Sequence, residues 1–233
     1  MRTVVGAAFG LLLGLTGGSQ AQSQQAVVVE LFTSQGCSSC PPADAFLGEL
    51  AGRDDVIALA LHIDYWDYIG WKDSFGSPAF STRQRAYATA AGDRSVYTPQ
   101  VRIGGAEDVI GSNPTGIADL IRRHQAAPVL CDVSLVRDGN SVRIEAVARG
   151  SLGGAVDVQL VRYIPQATVS IQRGELAGRT ITYHNIVTSI ETLKRWDGTG
   201  TFALTARAGG DGAVVVLLQR PDHGEIVAAA RLR

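Results

Sequence analysis

The sequence predicts an α/β domain followed by an all-β sandwich-like domain, and three observations carry that expectation. Apolar runs at 27–32 and 56–63 flank a segment in which Ala43, Phe46, Leu47, Leu50 and Ala51 recur at helical spacing, the pattern of a strand, helix, strand unit. From Pro128 onward the rhythm changes to short alternating runs with Gly-rich turns between them, the pattern of an antiparallel sandwich. A Cys-x-x-Cys, Cys37 to Cys40, sits at the turn between the first run and the helix. The boundaries expected are 27–127 for the α/β domain and 128–233 for the sandwich.

Before the first domain, Met1-Arg2-Thr3 carries the only early charge, Val4 to Leu15 is apolar but too short to span a membrane, and Ser19-Gln20-Ala21 is a small-x-small cleavage site. Residues 1–21 therefore read as a secretory signal peptide, and the mature chain as periplasmic or secreted with no membrane partner. A net charge of −1 and a pI near 6.4 supply no basic field for nucleic acid. Three cysteines are too few for a disulfide scaffold, so the close pair is the natural disulfide or redox couple and Cys131 is left over.

Each element then follows in order. The helix after Cys40 begins with Pro41 and Pro42, tolerated in a first turn because no N–H is needed there, with Ser38 as the expected cap. Helix N-termini stabilise thiolates, and Cys37, the outer sulfur, is the expected nucleophile with Cys40 as resolving thiol. The run from Val56 to Ile63 has the composition of a strand buried on both faces. A right-handed crossover makes it parallel to the first strand, so the cluster from His62 to Asp67 reaches the rim that carries Cys37. The loop from Tyr65 to Asp73 holds Trp66 and Trp71, either as a binding wall or lid or as a cover for the sheet edge. Ser77-Pro78 opens a second helix that Gly92 can close. Arg83 on its stripe faces the rim, or faces inward with Asp64 or Asp67 as its acidic partner. A strand opening at Pro99 and ending in Gly104-Gly105 pairs back with Asp108 to Gly111, and Asn113-Pro114 starts a third helix. Beyond Pro128, strands are expected at 129–136, 142–148, 155–164, 167–172, 180–186, 201–206, 213–219 and 226–232, with 186–196 open to a short helix.

The order of these motifs, a Cys-x-x-Cys after a first strand, an acidic residue after a second, then Thr98-Pro99 opening a hairpin and a last helix, resembles the thioredoxin superfamily. The stretches from Glu30 to Pro42, from His62 to Asp67, from Gly70 to Asp73 and from Tyr97 to Gln100 resemble the secreted bacterial family catalogued as domain of unknown function 1223. The resemblance implies a thioredoxin-like first domain. It also implies that Pro99 is a cis-proline facing the cysteine pair and that the Thr98 backbone pairs with an extended substrate.

Three chemistries fit the pair: dithiol–disulfide exchange, an inert structural disulfide, or metal binding. His62 is a candidate proton carrier, a third ligand in a copper site, or a satisfied structural residue. Asp64 is a candidate proton relay for Cys40, or a loop cap or partner of Lys72. Cys131 alternates with Val129 and Val133 as a small buried hydrophobe. The function expected is a thiol–disulfide oxidoreductase acting on protein thiols or disulfides, with Thr98, Trp66 and Trp71 as substrate-binding residues and no cofactor. The alternatives are a non-catalytic binding module stapled by the disulfide and a copper metallochaperone.

Overall fold

The computed structural model describes residues 26–209 and 212–232, so the expected signal peptide at 1–21 lies outside the described residues. β1 (Val27–Thr33) and β2 (Val56–His62) are buried along their whole length and pair in parallel, from Val27 opposite Val56 to Thr33 opposite His62. Between them runs α1 (Pro41–Ala51), which is capped by Cys40 and not by Ser38. The carbonyl of Cys40 accepts the N–H groups of Ala43 at 2.9 Å and Asp44 at 3.1 Å, and the two prolines have no N–H to satisfy. α2 (Pro78–Ala91) starts as its sequence requires, with the Ser77 hydroxyl accepting from the Ala79 N–H at 3.3 Å, and stops at Gly92 with φ of 78°. β3 (Gln100–Ile103) and β4 (Glu107–Ile110) form a hairpin, and α3 (Pro114–Gln125) is capped by the Asn113 side chain.

After α3 come β5 (Cys131–Asp138), β6 (Ser141–Ala148), β7 (Val156–Ser170), β8 (Thr180–Trp196), β9 (Thr201–Arg207), β10 (Ala213–Gln219) and β11 (Ile226–Leu232). The expectation of a thioredoxin-like α/β domain followed by a β-sandwich is overturned by how these strands pair. Four of them extend the first sheet, giving one mixed sheet of eight strands in the order β11-β10-β7-β8-β2-β1-β3-β4. Only β5, β6 and β9 form a separate three-stranded sheet. The chain is mainly β, with three α-helices among the described residues.

β8 makes the join. It lies parallel to β2 through Ala60 opposite Ile186, and the Asn185 side chain donates to the Ala58 carbonyl at 2.8 Å. Asn185 has φ of 47°, a left-handed conformation that asparagine tolerates better than most residues. Opposite it in β7 lies Pro165, at a step where the ladder skips from Ile164–Ile186 to Gln166–His184. A proline can stay inside a long strand where no ladder bond is required of it. β7 is therefore one strand where the sequence suggests two, and 186–196 continues β8 as strand, not helix.

Three apolar layers fill the molecule. α1 and α3 cover one face of the β1 to β3 region, with Leu47, Leu50, Ile117 and Leu120 against Val29, Leu31 and Val101. α2 covers the other face, where Phe80 and Tyr87 share one buried cluster with Phe32 and Leu59 and with Val161, Val215 and Leu217 from the second half of the chain. The three-stranded sheet closes the remaining face, setting Val142, Ile144 and Phe202 against Val158, Leu160, Val214 and Val216. β10 is thus buried on both sides, which accounts for its uninterrupted apolar run. Arg83 is buried, and its partner is Glu30 of β1 at 2.8 Å, neither Asp64 nor Asp67. Tyr87 donates to Glu30 at 2.6 Å, and Gln219 of β10 donates to Tyr87 at 2.8 Å. The buried charge is thereby hydrogen-bonded on several sides, as burial demands. No helix among the described residues is long and apolar enough to cross a membrane.

A second seam joins the halves where the Ile226 N–H donates to the Gly104 carbonyl at 2.8 Å. Next to it Gly105 has φ of 67°, and a Cβ there would lie 2.8 Å from the Gly224 carbonyl oxygen. Gly105→Ala is expected to destabilise the protein by about 2–3 kcal/mol. Gly92→Ala, at φ of 78° but with open space around it, should cost only about 1 kcal/mol of backbone strain. Urea midpoints of the two variants at unchanged m-value check the difference.

Candidate functional site

The turn Ser34-Gln35-Gly36-Cys37 leaves the buried end of β1 and must satisfy its own backbone before α1 begins. Gln35 does most of this. Its N–H donates to Asp73 Oδ2 at 2.8 Å, and its side-chain carbonyl accepts the indole N–H of Trp71 at 2.8 Å. The Asp73 carboxylate also bonds His62 Nδ1 at 2.7 Å and accepts the Phe75 N–H at 2.8 Å. Cysteine turn, end of β2 and tryptophan loop therefore meet on one buried carboxylate.

Cys37 and Cys40 form a disulfide with Cα atoms 5.4 Å apart. Cys37 is 5% exposed and Cys40 not at all, while Ser38 and Ser39 between them are exposed. Across from the pair the Thr98–Pro99 peptide is cis. The Thr98 hydroxyl lies 3.3 Å from Cys37 Sγ, and the Ser39 hydroxyl lies 3.4 Å from the same sulfur and 3.5 Å from the Thr98 carbonyl. Trp66 donates from its indole to Thr98 Oγ1 at 2.7 Å. Trp66 and Tyr68 lie side by side, with Tyr68 78% exposed.

The structure thus brings together Cys37, Cys40, Thr98, Pro99 and Trp66, and it sets the other expected residues apart from the sulfurs. Trp71 braces the turn through Gln35. His62 is fully buried, T-stacked on Phe75 and Tyr183, and its Nδ1 bonds Asp73 and not a sulfur. Asp64 bonds the Ser81 hydroxyl at the start of α2 and not Lys72. Both site sulfurs are engaged in the disulfide, and no three His, Cys, Asp or Glu side chains among the described residues are grouped to hold a metal ion. Cys131 is buried in β5, and burial pushes its thiol up to about 11.

Sequence reasoning missed Asp44, Gln35 and Tyr183. Asp44 lies one helical turn beyond Cys40 and is buried, with Thr33 donating to its Oδ1 at 2.7 Å. Its Oδ2, His62 Nε2 and the Tyr183 hydroxyl are buried without partners. Burial raises the Asp44 carboxyl to about 7, against the opposing effects of the His62 charge and the Thr33 hydrogen bond and with a further push from Asp73. The signal available was an acidic residue on the same inward stripe as Leu47 and Ala51. Tyr183 could not be inferred, because it arrives from β8. The tip of that hairpin reaches the tryptophan loop, where a side chain on Gly174 would begin 3.2 Å from Trp71 Cβ.

The model of the family described as protein of unknown function (DUF1223) matches residues 28–219. The chain belongs to the DUF1223 family. Among crystal structures, the DUF1223 chain is similar to a protein from Agrobacterium tumefaciens at 34% identity and a TM-score of 0.79, covering 91% of this chain and 96% of that one. HBP35 of Porphyromonas gingivalis shares the fold at 17% identity and a TM-score of 0.65, over 91% of this chain and 76% of that one. No curated protein matches.

Folding raises the Asp44 pKa, so the unfolded chain gives up this proton first as pH climbs. Stability is then lost between roughly pH 4 and about 7, by at most about 4 kcal/mol, and the loss levels off above that. Asp44→Asn keeps the acceptor for Thr33 and removes the titrating proton. Its stability relative to the parent should therefore rise across that window, as denaturant titrations at pH 4, 5.5, 7 and 8 will register.

Proposed function

We propose that this DUF1223 protein is a thiol–disulfide oxidoreductase of the periplasm or the secreted fraction, in which Cys37 attacks and Cys40 resolves through a mixed disulfide. The observation that carries the reading is the placement of the Cys37–Cys40 disulfide at a strand-to-helix turn, with the Thr98 hydroxyl beside the cis Thr98–Pro99 peptide 3.3 Å from Cys37 Sγ and Trp66 bonded to that hydroxyl. A substrate thiolate attacks Cys37 Sγ, and the Cys37–Cys40 bond breaks with its electron pair going to Cys40. The second substrate thiolate then attacks the substrate sulfur of the mixed disulfide and releases Cys37. The substrate is a protein dithiol in this direction and a protein disulfide in the reverse one, and the cysteines need no cofactor. Secretion rests on the leader read at residues 1–21, with cleavage after Ala21.

One observation favours a second reading, a binding module in which the disulfide is only a staple: both cysteines are at least nine-tenths buried. A single measurement separates the two. Mature protein carrying Cys131→Ala, equilibrated in glutathione buffers, should give a Cys37–Cys40 potential between roughly −120 and −270 mV if the pair exchanges. A value below about −300 mV marks a staple and removes the enzyme reading. Under the exchange reading Cys40→Ser also accumulates mixed disulfides with client proteins on a non-reducing gel, and Cys37→Ser accumulates none.

A further inference from the structure

The hydroxyl of Thr98 has one proton to donate and two lone pairs. An indole N–H can only donate, so the 2.7 Å bond from Trp66 makes Thr98 Oγ1 the acceptor there and leaves its proton to be spent elsewhere. Cys37 Sγ lies 3.3 Å away in a geometry that accepts it. The Tyr65 phenol also interacts with this hydroxyl, but its own proton goes to Gln84 at 3.1 Å, and it offers only a neutral oxygen in competition. The Ser39 hydroxyl has one proton, which it can give to the Thr98 carbonyl at 3.5 Å or to Cys37 Sγ at 3.4 Å, so it is a second neutral donor beside the sulfur but has no donor of its own behind it among the described residues. Among the hydrogen bonds and ion pairs of the described residues, no cationic side chain reaches Cys37 Sγ.

We propose that Trp66 and Thr98 form a two-bond donor relay aimed at Cys37, in which the Thr98 hydroxyl is a catalytic residue that stabilises the Cys37 thiolate and Trp66 is the positioning residue behind it. This deepens the exchange reading and rests on it for the use made of the thiolate. A disulfide sulfur carries no charge and accepts weakly. When a substrate dithiol has reduced the pair, two electrons have passed to it. Cys40 has taken one of the two substrate protons, solvent has taken the other, and Cys37 carries a full negative charge. The Thr98 bond is then charge-assisted and stronger, and the Trp66 bond behind it polarises the hydroxyl further. The relay therefore favours the released thiolate, and the transition state leading to it, over the disulfide. The indole is held for this task between Tyr65 and Tyr68, with ring centroids 5.8 and 6.1 Å away.

The test is the pH profile of Cys37 alkylation by iodoacetamide in reduced full-length protein, read by mass spectrometry of the Cys37 peptide. Thr98→Val keeps the shape of threonine and removes the hydroxyl. It should move the profile up by about one pH unit, a roughly tenfold slower reaction below the midpoint. Thr98→Ser should overlay the parent, and Trp66→Phe should move the profile in the same direction as Thr98→Val but less far. A Thr98→Val profile that overlays the parent overturns the relay, as does a Thr98→Ser profile that follows Thr98→Val. If Thr98→Val fails to fold by circular dichroism, Trp66→Phe decides, and an unshifted profile rejects the proposal. The outcome is distinguishable from failure of the exchange reading, because a potential typical of inert disulfides can coexist with a shifted profile, and an active exchanger with an unshifted one.

Discussion

The buried carboxylate of Asp73 holds the candidate site in one piece. One of its oxygens takes both the Gln35 N–H and His62 Nδ1, and the other takes the Phe75 N–H. Each bond belongs to a different segment: the turn before Cys37, the end of β2, and the loop after Trp71. A carboxylate this deeply buried is tolerable only when it is hydrogen-bonded in this way. By accepting the Gln35 N–H it anchors the turn that leads into Cys37.

A second layer lies beneath. Asp44, His62 and Tyr183 each present an unpartnered polar atom in the interior, in a protein whose buried polar groups are otherwise largely paired. Such groups cost stability, and this cluster sits directly behind the helix that starts at Cys40. Tyr183 belongs to β8, so the cluster exists only because the second half of the chain crosses the first. Residues beyond 127 therefore contribute to the surroundings of the cysteines through the same sheet, and not as a separate attachment.

The local elements were legible because their signals are local. Ser77-Pro78 and Gly92 bound α2, Asn113-Pro114 starts α3, and alternation marks β5, β6 and β9. The architecture is less legible, because the runs after Pro128 read as one sandwich while the structure divides them between two sheets. The uninterrupted run Val214 to Leu218 contradicts a strand with one wet face, and the structure buries it between α2 and the smaller sheet. The strands expected at 155–164 and 167–172 are one, because the ladder passes Pro165 where it skips from Ile164–Ile186 to Gln166–His184.

At the site, the sequence by itself determined the cysteine pair, its place at the mouth of α1, and the presence of Thr98-Pro99 and the tryptophan loop. These follow from spacing, chain stiffness and composition, which act over a few residues. Only the tertiary structure decided that His62 serves Asp73 instead of a sulfur, that Arg83 answers Glu30, that Asp44 lies buried below Cys40, and that Trp66 points its N–H at Thr98. Three of these are pairings of polar groups, between residues 11 to 53 positions apart in the chain. The partner of a buried charge or donor is set by which strands neighbour one another, and that order, β2 beside β8 above all, is written in the packing of the whole chain rather than in any one stretch of it.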